Sequence, residues 1–177
     1  MARKGIYMSE AFTLYKLIVL YMLNKVDFAL TNGQISEFIL DKGYTTYFTL
    51  QQAISEMVEA GFIREESTHN RTLYHLTEDG ANTIEYFQTN ISPAIRQDVD
   101  VFMKEKAYEL RNEVAVKADY YPNKSNEFSV RCQINEGDSS LIDLVISVPT
   151  ESEAISVANN WTQRHQEIYA QIMANLL

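Results

Sequence analysis

The stretch that decides the reading is Leu50–Gly80, LQQAISEMVEAGFIREESTHNRTLYHLTEDG. Leu50, Ala53, Ile54, Met57 and Val58 recur at helical spacing, so the segment opens as an amphipathic helix. Gly61 stands where a helix end calls for a left-handed residue. Two short β-like runs follow, Phe62–Glu66 and Thr72–Leu76, joined by the polar turn Ser67–Arg71. Thr77 then has the character of an N-cap, with Glu78 and Asp79 in the first turn, where the helix dipole favours negative charge.

The residues upstream complete the pattern. A helix is expected from Ser9 or Glu10 to Leu23, carrying the apolar run Leu17–Leu23. A helix apolar on all sides is buried on several of them, and this run is far shorter than the roughly 20 residues that span a bilayer. Asn24–Leu30 reads as a connector. Thr31 or Asn32 caps a second helix with Ile35, Phe38 and Ile39 on its inner face, and Asp41-Lys42-Gly43 ends it. Tyr44–Thr46 turns into the helix that precedes Gly61. Three helices, a hairpin and a capped fourth helix are the order of a winged helix-turn-helix, with the third helix as the reading helix and the hairpin as its wing. The residues ahead of Ser9 read as a short arm with Arg3 and Lys4, either a frayed terminus or a basic arm that reaches a minor groove.

The chain has 177 residues, 46% apolar and 22% charged, the profile of an ordinary folded protein with a substantial core. One cysteine excludes an internal disulfide and a zinc-finger pattern. No signal-peptide pattern or transmembrane run is present, so the expectation is a cytoplasmic protein without membrane contact. Net charge is −9, shared evenly: residues 1–90 hold 7 basic and 11 acidic side chains, residues 91–177 hold 8 and 13. That balance opposes a general affinity for phosphates, so any nucleic-acid surface is a local patch.

The expected fold is α+β: an N-terminal winged helix-turn-helix, then a small three-stranded antiparallel sheet covered by a long C-terminal helix. The first domain spans 1–90, with a fourth helix from Thr77 to Asn90 that turns Ile84 and Phe87 inward. A linker helix spans 91–113, opened by Ser92 and Pro93, with Ile95, Val99, Phe102, Met103, Ala107 and Leu110 as its stripe. Residues 114–177 form the third part. There Val114, Val116, Ala118 and Tyr120 alternate with polar neighbours, as do Phe128, Val130, Cys132 and Ile134, and then Ile142, Leu144, Ile146 and Val148. Turns fall at Pro122–Asn126 and around Gly137. Cys132 shares the apolar parity, so it reads as a core thiol. Thr150 or Pro149 opens the last helix, whose seam is Ala154, Ala158, Trp161, His165, Ile168 and Ile172. Its overhang past a three-stranded sheet is a candidate contact with a second subunit.

With Leu50, Ile54 and Met57 inward, helical geometry turns Thr45, Phe48, Gln52, Ser55 and Glu59 outward, with Thr49 and Glu56 on one flank. Hydroxyls and amides of this kind bond phosphates and base edges, and glutamine can pair bidentately with adenine. No Lys or Arg occurs from Tyr44 to Ser55. Phe48 on an outward arc implies either contact with the preceding helix or a helix start displaced by a residue. Arg64 and Arg71 flank the hairpin, where they can reach a DNA backbone or pair with Glu65 or Glu66.

At AGFI, the charged hairpin and LYHLTEDG the chain resembles the MarR and PadR families of winged-helix regulators, whose wing strand runs into an LTxxG helix cap. The resemblance implies that the helix before Gly61 lies in the major groove of DNA, that added helices make a homodimer, and that Thr45, Thr46, Thr49, Gln52, Arg64 and Arg71 contact double-stranded DNA. This chain departs from the pattern in its acid-ended third helix, in its lack of a basic run in the hairpin, and in having Asn70-Arg71 at the tip. Over its full length it resembles an uncharacterised bacterial family, domain of unknown function 4364.

Two functions follow as expectations. One is a homodimeric DNA-binding transcriptional regulator whose back half dimerises or senses a small-molecule effector. The other is a winged-helix protein-interaction module without DNA binding. No nucleophile-base pair, glycine-rich phosphate loop or histidine-carboxylate cluster points to an enzyme, a cofactor or a metal.

Overall fold

A computed structural model describes residues 2–69, 71–136 and 139–177, with side chains from Glu10 onward. The fold is α+β, with six α-helices and two three-stranded antiparallel sheets among the described residues. Contacts divide it into two compact units: Met1–Ser67 with Arg71–Arg111, and Thr68–Asn70 with Asn112–Leu177.

In the first unit α1 spans Ala2–Asn24. It starts well ahead of Ser9, so the stretch expected as an arm is helical, in keeping with the helix propensity of Ala, Arg and Lys. The side chains of Arg3 and Lys4 lie outside the described residues. Leu17–Leu23 is buried throughout, no residue more than 6% exposed, and α1 forms the centre of the core, against α3, α4 and β3. The expected connector contains a two-residue strand, β1 (Leu30–Thr31), pairing with Tyr74 and Leu73. Two residues are too few for any periodicity to show.

Thr31 caps α2 (Asn32–Asp41) through a capping box: its hydroxyl accepts from Gln34 N at 3.1 Å, and Gln34 Oε1 accepts from Thr31 N at 2.9 Å. Gln34 is buried yet satisfied, because its amide also donates to the Leu110 carbonyl at 3.2 Å. α2 and α3 (Tyr47–Glu59) end alike. Gly43 (φ 66°) donates to Leu40 O while Tyr44 N reaches Ile39 O; Gly61 (φ 77°) donates to Val58 O while Phe62 N reaches Met57 O. Both are Schellman ends, which need a left-handed residue after the cap.

The chain then forms the hairpin β2 (Ile63–Ser67) and β3 (Thr72–Leu76), with Ile63 opposite Leu76 and Ser67 opposite Thr72. The sheet order is β1-β3-β2. Thr77 caps α4 (Glu78–Phe87), and its hydroxyl bonds three backbone groups: it accepts from Gly80 N at 3.1 Å and turns its proton toward the carbonyls of Gly61 (2.7 Å) and Phe62 (2.9 Å). At Gly80 a Cβ would sit 2.1 Å from Phe62 O and 2.8 Å from Leu76 Cδ1. Only glycine permits α4 to start this close to the end of α3.

α4 gives way to a single 3₁₀ turn at Gln88–Asn90. Ile91, just past that turn, is fully in the core, whereas Phe87, expected inside, is 43% exposed with its ring edge-on to Tyr86. α5 spans Pro93–Ala115. Its Val99, Met103 and Leu110 belong to the first unit's core, whereas Ala107 is exposed. The linker helix expected over 91–113 is α5, and much of its apolar stripe packs into the first unit's core. Val114 is helical as well: it follows Leu110 by one turn, and spacing alone cannot separate that from alternation with Val116.

The second unit is a meander, β4 (Val116–Pro122), β5 (Phe128–Glu136) and β6 (Ser139–Val148), in the order β4-β5-β6. Asn123 organises the β4–β5 turn, its side-chain oxygen accepting from Ser125 N and Glu127 N, with Asn126 left-handed at φ 61°. The Gly137 turn falls outside the described residues. α6 (Glu151–Leu176) begins with a second capping box, Thr150 with Glu153. It buries Ala154, Ala158 and Trp161 on Val116, Ala118, Val130 and Cys132, and Trp161 Nε1 donates to Gln133 O at 3.2 Å. His165 is half-buried, its Nδ1 against the Thr162 carbonyl at 3.1 Å. No helix, among the described residues, is long and apolar enough to cross a membrane.

Two outcomes follow. Gly80→Ala should cost about 3 kcal/mol as an overpacked contact against backbone, and Thr77→Val about 1–2 kcal/mol as a lost cap and lost hydrogen bonds; thermal and urea unfolding measure both. A Gly80→Ala protein as stable as wild type would refute the close approach. Burial pushes the Cys132 thiol up to about 11, so it should resist a thiol reagent in the native protein and react once urea exposes it.

Candidate functional site

The first turn of α3 presents an accessible and chemically diverse surface on the first unit. Thr46 is the N-cap: its hydroxyl lies 3.0 Å from that of Thr49 and accepts from Thr49 N at 3.4 Å. Leu50, Ala53, Ile54 and Met57 anchor the helix with at most 2% exposure. That anchoring fixes the opposite arc. Tyr47 is 47% exposed and Phe48 is 84% exposed, their rings edge-on at 6.1 Å. Gln52, Ser55 and Glu59 are exposed further along.

Each expected site residue has a definite place. Thr46 and Thr49 meet at the cap, and Gln52 stands one turn on. Thr45 lies before the helix and is half-buried, so it does not share the outward arc of α3. Arg64 is exposed on β2, opposite His75 on β3. Arg71 precedes β3 and is half-buried. Phe48 neither packs on α2 nor marks a displaced helix start; it projects into solvent. Tyr47 and Phe48 are the surface residues that the expected set lacked. Helical phase alone points Phe48 outward, and its apolar character argued the other way.

Two lysines of the helical core are already engaged. Lys16 donates to Glu56 at 2.6 Å, and Gln52 donates to the other Glu56 oxygen at 3.3 Å. The Lys16 ammonium, with help from Gln52, holds the Glu56 carboxyl below its usual range. Lys42 pairs with Asp98 at 2.8 Å, and Tyr44 donates to the other Asp98 oxygen at 2.7 Å. Lys42 and Tyr44 lower the Asp98 carboxyl, while burial first and Asp98 second push the Tyr44 phenol up to about 12. His75 contacts Glu66 at 2.9 Å. The outward surface of α3 is thus polar and aromatic, without a cluster of open positive charge.

A concavity of about 670 Å³ lies between the α1–α2 connector and α5. Four of its charged groups pair within its own walls, Lys25 with Asp100 at 2.8 Å and Arg111 with Asp27 at 2.7 Å, and Lys104 lines it as well. Asp100 and then Tyr21 raise the Lys25 ammonium above its usual value. Among the described residues no group of three or more His, Cys, Asp or Glu is arranged to hold a metal ion.

Comparison with known proteins gives one result. The family model described as Domain of unknown function (DUF4364) matches residues 15–176. No curated protein and no solved structure matches the chain. The match runs from the middle of α1 to the end of α6 and takes in both units, so the chain belongs to the DUF4364 family.

Proposed function

We propose that the first unit is a winged helix-turn-helix that reads double-stranded DNA, in a transcriptional regulator acting as a homodimer. The observation that carries the reading is the solvent-facing first turn of α3, held rigidly by a buried opposite face and followed directly by the β2–β3 hairpin. Reading helices of this class meet base edges through their N-terminal residues, with the hairpin against the flanking backbone.

The side chains suit that task. Gln52 can pair bidentately with adenine, and a phenylalanine such as Phe48 can contact a thymine methyl. The hydroxyls of Thr46, Thr49 and Tyr47, and the helix N-terminus itself, suit phosphate oxygens. Arg64 on β2 and Arg71 just before β3 would supply contacts to the DNA backbone or minor groove. In a dimer, two copies of α3 must stand about one DNA turn, ~34 Å, apart; an effector that altered this spacing would alter affinity.

A second reading rests on the aromatic pair. Exposed aromatic side chains are the usual anchors of protein interfaces, and Tyr47 and Phe48 occupy a helix without a single Lys or Arg. On that reading α3 seats a protein partner.

Fluorescence anisotropy with duplexes selected from a random pool separates the two. The DNA reading expects sequence-selective binding with a shallow salt dependence. Two hairpin arginines per copy give a log-log slope near −4 for a dimer. Gln52→Ala or Phe48→Ala should each weaken selected DNA by about 1–3 kcal/mol and leave random DNA unchanged. No selection and no binding at low salt would reject the DNA reading in favour of the protein partner.

A further inference from the structure

β6 leaves one edge of the second sheet open. Among the described residues no strand pairs with its outer side. The edge is ten residues long. Long edges are normally blunted with Lys, Pro or a bulge. Ser139–Val148 contains no Lys, Arg or Pro; its irregularity lies near its start, where Ile134 faces Ile142 and Asn135 faces Ser140 so that Leu141 bulges, and Ile142–Val148 pairs regularly. The single charge in β6 is Asp143, and Arg131 grips it with two nitrogens at 2.9 and 2.5 Å while Gln133 donates at 3.1 Å. That grip holds the Asp143 carboxyl below its usual range.

The row Ile142, Leu144, Ile146 and Val148 continues the apolar face formed by Ile134, Cys132, Val130 and Phe128. α6 covers that face over β4 and β5, where Val116, Ala118, Val130 and Cys132 are buried. Over β6 the cover thins: Ile142, Leu144 and Val148 are half-buried, and Ile146 is 42% exposed. On the opposite face Leu141 and Val145 are 47% and 58% exposed. The open backbone edge thus runs beside an uncovered aliphatic strip.

We propose that a second copy of this chain occupies the β6 edge, its own β6 pairing antiparallel about a two-fold axis perpendicular to the sheet. Such an axis makes one six-stranded sheet and keeps both α6 helices on the same face. It joins the two aliphatic strips between those helices and pairs the outward N–H and C=O groups of both edges. The charge distribution selects a like chain. Two copies at −9 each repel over most of their surface, but the β6 strip adds no open charge because Asp143 is already neutralised within its own sheet. A basic partner, the natural complement of an acidic protein, finds no free carboxylate there. This surface is independent of the DNA reading; it specifies how the dimer forms whether or not α3 meets DNA.

Sedimentation velocity on the full chain at tens of micromolar tests it, with Ile146→Lys and Tyr108→Lys as the variants. Tyr108, on α5, is 75% exposed. Wild type and Tyr108→Lys should sediment as dimers. Ile146→Lys should shift to monomer, its association weakened roughly tenfold or more by a lysine brought into an apolar seam. Its circular dichroism should match wild type, because the position is already exposed. If Ile146→Lys fails to fold, hydrogen exchange of wild-type β6 decides: its amides should slow as concentration rises. A monomeric wild type, a dimer that survives Ile146→Lys, or β6 exchange independent of concentration would each overturn the assignment.

Discussion

The geometry of the first unit depends on one close approach. The carbonyls of Gly61 and Phe62, at the end of α3, are met by the Thr77 hydroxyl, and the Gly80 backbone sits where any side chain would strike Phe62 O. Four residues thereby tie the end of one helix to the start of another across the whole β2–β3 hairpin. The hairpin cannot tilt, and α4 cannot slide, without breaking that contact. Because the Gly61 Schellman end sets the exit of α3, the same contact fixes the strand that follows it.

Much of this was legible in the sequence because local chemistry wrote it there. Gly61 and Gly43 mark helix ends through a backbone conformation that few other residues adopt. Thr31, Thr77 and Thr150 mark helix starts, and Gln34 and Glu153 stand three residues later to close two of the boxes. Alternation located the three strands of the second unit. What escaped had no local signal. β1 is two residues long and exists only because β3 offers it a partner. Phe87 keeps helical spacing from Ile84, yet at the last residue of α4 it is 43% exposed. Val114 satisfies two periods at once, and the helix kept it. The reason for Gly80 was also hidden: the sequence shows an LTxxG motif, but not the carbonyl that forbids a Cβ.

Surface chemistry was harder to read than the core. Burial of Leu50, Ile54 and Met57 follows from spacing, and so does the outward arc that carries Gln52. Thr45 was placed on that arc by extending the helix too far back; the cap at Thr46 removes it. Phe48 exposes a conflict between phase and hydrophobicity, and phase won because the inner positions of α3 were already filled. An exposed phenylalanine on an anchored helix is a feature that folding does not require, and this is why we place the recognition function there. The acidic character of the chain then shapes the proposal: with Lys16 and Lys42 held by Glu56 and Asp98, affinity must come from shape and base edges more than from phosphate attraction.

The most direct test of that assignment is residue-resolved. Amide chemical shifts of the full chain, recorded as a selected duplex is added, should move at Tyr47–Gln52 and at Arg64 while the cleft beside Lys25 and Arg111 stays still. Shifts confined to the cleft or to α6, with the first turn of α3 unmoved by a duplex that binds, would contradict the account.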